Sequence, residues 1–578
     1  MRNEQVAELL EDIAAALELK GDSGYRIHAY EEAARNVREL GEAIEDYYRD
    51  DKLTEIPGVG SSIAEKIAGY LQTGRSPYLE SLIREIPRGV FELLKVPGIG
   101  PKKANQLYRT LRVTSLKELA RAAREHRIRE VPGMGAKTEA SILKELSRLE
   151  NRSTRLPLFV AWPLADAVAE ALREKLNTDL VEPAGSIRRR KETIGDIDLV
   201  VGETDSGRVE RAIAALPLTK EILSAGPTKI TFLTQDDFQV DVRVLPPETW
   251  GAGLLHFTGS KAHNIALRDR AIAMGYKVNE YGVFRMDGGQ RIGGATEREV
   301  YDILGLPWIP PELRENLGEL EAAEAHRLPQ LITLEDMRGD LHAHTTYSDG
   351  RNSLEEMARA AIARGYEYLA VTDHSHGLGV THGLTQEAAE RQWAEIEALN
   401  ERLAPFRLIA GVELEIRASG ELDFADDFLA RFEYVAASLH TGIKQESARI
   451  TERLVGAIRN VYVDTINHPT GRIVGRRAAY ELDLERLFET AAALGKALEL
   501  NGSERLDLPE VLARRAKELG VVFTLSSDAH SVEGLAAMRY AVAQARRAWL
   551  TPDDVLNTRP VRQLLRRWEQ GAHVKPKR

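Results

Sequence analysis

At 578 residues the chain is too long for one hydrophobic core, so several domains are expected. Its 43% hydrophobic and 29% charged residues exclude an intrinsically disordered chain, and no apolar run of about 18 residues suggests a membrane span. Zero cysteines exclude disulfides and thiolate-held zinc, so any metal must sit on His, Asp, Glu or water; the net charge of −11 leaves nucleic-acid binding to local basic patches.

The first residues (MRNEQVAELLEDIAAALEL) mix acids into a helical pattern and lack the apolar core of a secretory signal, which with the missing cysteines points to the cytoplasm. One phrase then recurs: IPGVG at 56–60, VPGIG at 96–100 and VPGMG at 131–135, each leading into a helical stretch. Proline fixes one backbone angle, and the glycine pairs Gly58 and Gly60, Gly98 and Gly100, Gly133 and Gly135 allow a tight turn. Such a turn exposes backbone N–H groups at the N-terminus of the next helix, which suits a phosphate oxygen.

From about Phe159 helices mix with short β-rich runs (DLVEPAGS, IDLVVGE, KITFLT, FQVDVRVL), which predicts an α+β region with a mixed or largely antiparallel sheet. Asp196 and Asp198 in GDID are two apart, so on a strand both face one side, and Asp241 in QVDVRVL could complete the cluster. Three carboxylates on one face repel unless divalent cations neutralise them, and two cations suit nucleotidyl transfer. Upstream, Gly185 and Ser186 with Arg188 and Arg189 offer close backbone approach and charged donors for a triphosphate.

Residues 318–336 read as a charged connector, followed by alternating strands and helices that predict a parallel, barrel-like α/β domain. At or just past its apolar strand runs stand His342, His344, Asp349, His374, Glu413, His440, His468, Asp528 and His530. Parallel neighbours would gather these nine on one rim, where imidazole and carboxylate donors suit two or three ions of zinc, manganese or iron, one pair bridged by Glu413. Arg417, Arg472 and His376 lie near enough in sequence to serve as phosphate contacts.

The three Pro-Gly phrases resemble the helix-hairpin-helix motif, a sequence-independent binder of the DNA backbone. GSIRRR…GDID, VDVRV and LLHFTGSKAHNIALRDRAIAMGYKVNEYGVFR at 254–285 resemble the nucleotidyltransferase core of DNA polymerase beta and its family X relatives, over residue 1 to about 318. That resemblance implies magnesium or manganese on Asp196, Asp198 and Asp241, with Asp241 taking the primer hydroxyl's proton. It implies triphosphate contacts from Ser186 and Arg189 beside Gly185, with Gly195 before the acidic pair. It also implies a sugar-discriminating turn at His256, Phe257, Thr258 and Gly259, and minor-groove residues Asn264 and Arg268. The turn usually opens Tyr-Phe, and His256 departs from that. GYRIHAYEEAARNV at 24–37 and GVGSSIAEKIAGYLQTG at 58–74 resemble the small lyase domain of polymerase beta, with Lys66 at its Schiff-base position and Ser62 where the family has a lysine.

The C-terminal set resembles the metal ligands of the polymerase-and-histidinol-phosphatase (PHP) family. It implies one ion on His342, His344, Glu413 and Asp528, a second on Glu413, His440 and His468, and a third on Asp349, His374 and His530. The expected division is a lyase-like helical DNA-binding domain at 1–85, a helix-hairpin-helix subdomain at 86–153, a palm at 154–247, a nucleotide-binding or thumb subdomain at 248–318, a linker at 319–336 and a distorted TIM-like PHP barrel at 337–578. The implied function is gap-filling DNA polymerisation in repair plus 3′–5′ exonuclease or 3′-end processing, with gapped or primer-template DNA and dNTPs as partners, in the cytoplasm and on the nucleoid. Two alternatives remain at this point: a phosphatase of a small phosphate ester, and a non-catalytic DNA-binding scaffold.

Overall fold

A computed structural model describes residues 3–20, 22–40, 44–84, 90, 93, 96, 99–152, 155–378 and 381–570. The chain divides into two compact units, one of residues 1–154, 268–277 and 284–291, the other of 155–267, 278–283 and 292–578.

The N-terminal part of the first unit is helical. Leu10, Ile13 and Leu17 recur at helical spacing along Asn3–Lys20 and bury against Ala33, Ala34 and Val37 of Gly24–Glu39 and Ile63 and Ile67 of Ser61–Thr73. The described residues of the three repeated phrases share one hydrogen bond: Val59 N–H donates to Ile56 O (3.0 Å), Ile99 to Val96 (2.9 Å) and Met134 to Val131 (2.9 Å). All six of these apolar residues are buried, so the hairpins are pinned from below.

In the second unit a five-stranded sheet runs in the order Val181–Pro183, Ile197–Gly202, Gln239–Leu245, Lys229–Thr234, Thr219–Ala225. Only the central pair, Ile197–Gly202 with Gln239–Leu245, is parallel, and its register sets Asp198 opposite Asp241. The helix Leu158–Leu176 covers one face with Ala161, Ala165, Val168 and Leu172. Thr219–Ala225 is an edge strand whose residues are all at least partly exposed, and its sequence TKEILSA, with neither an apolar run nor alternation, hid it.

The C-terminal region is a seven-stranded, all-parallel sheet in chain order, from Gly339–Ala343 to Val522–Ser526. A parallel bridge between Ala343 and Ala529 brings its two ends together, giving a barrel of seven strands. These strands are almost wholly buried, as strands covered on both faces must be. The segment read as a charged connector is packed at Glu319, Ala323, Leu331 and Ile332, while Glu321, Glu324, Arg327 and Glu335 are exposed. Glu319 is fully buried because His263 Nδ1 (2.7 Å) and the amides of Asn316 and Leu317 satisfy its carboxylate, and Ile332 enters the barrel's core.

Candidate active sites

Asp196, Asp198 and Asp241 each present an oxygen within 4.8 Å of the others. Burial, then the charges of Asp196 and Asp241, push Asp198 up to about 7, with Arg243 and Lys229 acting the other way. Asp241 is itself fixed, accepting from Thr231 Oγ1 (2.8 Å) and Gln239 Nε2 (3.0 Å) and pairing with Lys229 (2.8 Å). Such mutual repulsion, with Asp198 and Asp241 on paired strands and Asp196 just before the first of them, fits divalent cations better than it fits an ion-free cluster.

Gly185 opens the short helix Gly185–Arg188 at φ 57°, and Ser186 follows it there. Arg188 makes a forked pair with Glu297 (2.7 and 2.8 Å) and also donates to Thr258 Oγ1 (2.8 Å). Arg189 donates to the Thr258 carbonyl and, through Nε, to Glu315 (3.1 Å). His256, Phe257 and Thr258 end the helix Trp250–Thr258, which Gly259 stops at φ 66°. Asn264 Nδ2 donates to the His256 carbonyl (2.7 Å), His256 Nδ1 lies 4.0 Å from Glu280, and Arg243 stacks on Phe257 at 4.6 Å. Asn264 and Arg268 share the helix Lys261–Ala273, and Gly195 sits directly before Asp196, close to Arg155.

The barrel's strand ends form the second site. Glu413 is its centre: Oε2 lies 3.4 Å from His342 Nε2, 3.5 Å from His344 Nε2 and 3.0 Å from His374 Nδ1. Its Oε1 meets His440 Nε2 at 3.4 Å and His468 Nε2 at 3.0 Å. Asp528 Oδ1 is 3.3 Å from His344 and 3.6 Å from His342. Asp349 faces His344 Nδ1 (3.8 Å), His374 Nε2 (3.6 Å) and His530 Nε2 (3.5 Å). All nine expected residues therefore meet on one rim. The groups whose donor atoms lie within 4.8 Å of one another are His342, His344 and Glu413; His374, Glu413 and His440; and His344, Asp349, His374 and His530, so His344 and His374 each belong to two groups while Asp528 and His468, expected in the first and second sets, fall outside them.

The electrostatics of this rim fit cations. Burial and then His374 press His344 down to about 3, and burial and then Arg505 press His468 to about 4. Burial opposes protonation of His440 too, but Glu413 and Glu415 raise it to about 9. Neighbouring imidazoles so divided cannot all carry protons, and the Nδ1 atoms of His344 and His468 are buried without a hydrogen-bond partner. Divalent ions would replace the protons that these rings cannot all carry, and one beside Asp349 would meet His344 Nδ1.

In the helical unit, Gly60 and Gly100 cap the helices Ser61–Thr73 and Pro101–Leu111, and Gly135 precedes Ala136–Arg152. Gly58 and Gly133 adopt φ 77° and 79°, while Gly98 lies outside the described residues. Lys66 Nζ donates to Ser62 O (2.9 Å) and Oγ (3.0 Å) and lies 4.7 Å from the centre of the Tyr78 ring. Arg26 donates to the Tyr78 hydroxyl (2.7 Å).

Four family models match the chain: a helix-hairpin-helix domain over residues 1–76, a SAM-like helix-hairpin-helix tandem over 90–148, the DNA polymerase beta thumb over 253–315 and the PHP domain over 340–503. The chain is 38% identical over 565 residues to the DNA polymerase/3′-5′ exonuclease PolX of Bacillus subtilis (strain 168), spanning 97% of this chain and 98% of that protein. The chain belongs to the bacterial family X DNA polymerases that carry a PHP domain. As such a two-part member it also resembles partners of each half. It is 26% identical over 344 residues, 54% of this chain and 56% of the relative, to DNA polymerase lambda of Rattus norvegicus. It is 30% identical over 233 residues, 38% of this chain and 89% of the relative, to a probable phosphatase of Thermoanaerobacter sp. (strain X514). The end-to-end match favours the polymerase–nuclease reading over a lone phosphatase or a scaffold.

For this family X member the sequence reading missed the carboxylates that aim the imidazoles. Glu499 takes His342 Nδ1 at 2.7 Å and the His468 amide at 2.6 Å; Glu415 takes His440 Nδ1 at 2.8 Å. Both share a strand with a polar neighbour two residues away, Glu415 with Glu413 and Glu499 with Asn501, and that spacing was the available signal. The three phosphate-contact candidates have protein partners. Arg417 and His376 face Asp423 (2.7 and 3.5 Å), and Arg472 pairs with Glu192 of the sheet domain (2.8 Å).

Proposed function

We propose that the chain fills gaps in DNA at the Asp196–Asp198–Asp241 cluster and trims or cleans DNA 3′ ends, in the 3′–5′ direction, at the barrel rim. The observation that carries this is the coexistence, in one chain, of an acidic triad beside a triphosphate-suited loop and a nine-residue imidazole–carboxylate rim. We assign magnesium or manganese to the triad and two or three zinc, manganese or iron ions to the rim. Ions held there supply Lewis acidity and neutralise charge on phosphate oxygens.

The remaining work falls to side chains. Ser186 and Arg189 bind and orient the triphosphate of an incoming dNTP, and Asp241 accepts the proton of the primer 3′-hydroxyl. Thr231, Gln239 and Lys229 hold Asp241 in one rotamer for that purpose. At the rim, Glu499 and Glu415 fix ring orientation, so that Nε2 of His342 and of His440 face Glu413. The glycine turns at Gly58–Gly60, Gly98–Gly100 and Gly133–Gly135 grip the DNA backbone, and Asn264 and Arg268 read the minor groove of the nascent pair. The protein works in the cytoplasm, at the nucleoid when bound to DNA.

The test is addition of a labelled dNMP to a one-nucleotide gap with magnesium or manganese. Asp198→Ala abolishes it if the reading holds, and undiminished addition by that variant would refute the assignment.

A further inference from the structure

Arg547 ends the helix Met538–Arg547 of the PHP domain, yet its bonds lead to the polymerase half. Its side chain is only 2% exposed. It donates to the backbone carbonyl of Arg189 (2.6 Å) and pairs with Glu315 (3.2 Å) and with Glu510 of its own domain (2.8 Å). The Glu315 Oε1 atom that it meets is the one that accepts from Arg189 Nε (3.1 Å) and lies 3.9 Å from Lys191. One buried guanidinium of the nuclease domain thus holds both the backbone and the counter-ion of Arg189.

The neighbours reinforce this grip. Gln544 of the same helix donates to the Arg190 carbonyl (3.4 Å), and Arg190 stacks on Trp162 at 3.4 Å. Arg539, also on that helix, takes the same indole at 4.3 Å. Val474, Leu506, Tyr540 and Ala543 of the barrel complete the apolar cluster beneath the sheet domain.

Physically, Glu315 is one carboxylate shared by three cations. By taking part of its charge, Arg547 leaves Arg189 with more of its own positive field for a phosphate. By binding the Arg189 carbonyl it also fixes the turn from which that side chain projects. Neither contact touches the metal-suited rim.

We propose that Arg547 is a positioning residue of the polymerase reaction, so that the PHP domain sets nucleotide affinity independently of its own hydrolytic chemistry. The inference rests on the reading of Arg189 as a triphosphate contact.

The experiment uses the full chain and compares Arg547→Met, Arg547→Lys and Arg189→Met with the parent. KM for dNTP and kcat are measured separately on gapped DNA, and manganese-dependent hydrolysis of bis(p-nitrophenyl) phosphate reports an intact barrel. Loss of one charge-assisted bond network raises KM roughly tenfold or more in Arg547→Met, with kcat and phosphodiester hydrolysis near the parent's. Arg547→Lys keeps the charge without the fork and falls between. A folded Arg547→Met with the parent's KM overturns the inference; if that variant does not fold, the parent's KM in Arg547→Lys overturns it. If Arg189→Met also leaves KM unchanged, the triphosphate reading has failed first. A raised KM in Arg189→Met alone defeats only the role of Arg547.

Discussion

A Cβ added to Gly185 would lie 2.2 Å from Asp198 Oδ2, so the glycine and the central carboxylate of the triad are in direct steric register. The loop that is to receive the triphosphate and the strand that is to hold the cations are thereby locked together, and φ 57° at Gly185 adds a second reason for glycine. Gly185→Ala must therefore shift either the loop or Asp198. Displacement of that order costs on the order of 100-fold in single-turnover dNMP addition. Phosphodiester hydrolysis at the rim should be unchanged, and a variant that polymerises normally would show that the approach is not needed.

By the resemblance to polymerase beta, His256 opens the proposed sugar-discriminating turn where that family carries tyrosine, and its carbonyl is held by Asn264 (2.7 Å). The backbone is therefore in place while the side chain differs. We expect imperfect exclusion of ribonucleotides with manganese, tightened in His256→Tyr. The ratio of kcat/KM for a dNTP to that for the matching rNTP decides it; equal ratios in parent and variant would remove the effect.

Glu499 and Glu415 act through the rings that they hold. Glu499→Gln and Glu415→Gln should each weaken ion retention at the rim by about 10- to 100-fold. The measurement is bound zinc or manganese after dialysis against graded chelator, read by elemental mass spectrometry. Parental retention in both variants would mean that ring orientation is set elsewhere.

Glu139 gives a pH prediction in the helical unit. Burial alone would raise its carboxyl, but Arg129 and His126, with the Arg129 amide at 3.0 Å, hold it down at about 2 against an ordinary 4.5. A depressed carboxyl stabilises the fold above its unfolded value, and that contribution is lost as pH falls from about 4.5 towards 2. The protection factor of the Arg129 amide should fall across this window in the parent. In Glu139→Gln it should be lower at neutral pH and flat across the window; a pH-independent parent would contradict the assignment.

Much of the two sites was legible because it rests on short periodicities. Two-residue spacing placed Asp196 with Asp198 and His342 with His344, and strand ends flagged Glu413, His440 and His468. What the sequence hid depends on contacts between residues that are not local in the chain. Arg547 and Arg189 are 358 positions apart, and nothing local marks an arginine near the end of a helix as a palm contact. Arg472 was read as a phosphate contact because it follows His468 closely, but its partner Glu192 lies in another domain. In the connector at 318–336 the burial of Glu319 was hidden because its partner His263 lies 56 positions away, whereas Glu321, Glu324, Arg327 and Glu335 are exposed.

The most direct test asks whether the two sites are chemically independent. A gapped primer-template with a 5′-labelled primer is incubated with dNTPs or without them, using the parent, Asp198→Ala and His344→Ala. Asp198→Ala is expected to abolish extension and leave 3′ trimming, and His344→Ala to do the reverse. Loss of both activities in either single variant would contradict that independence.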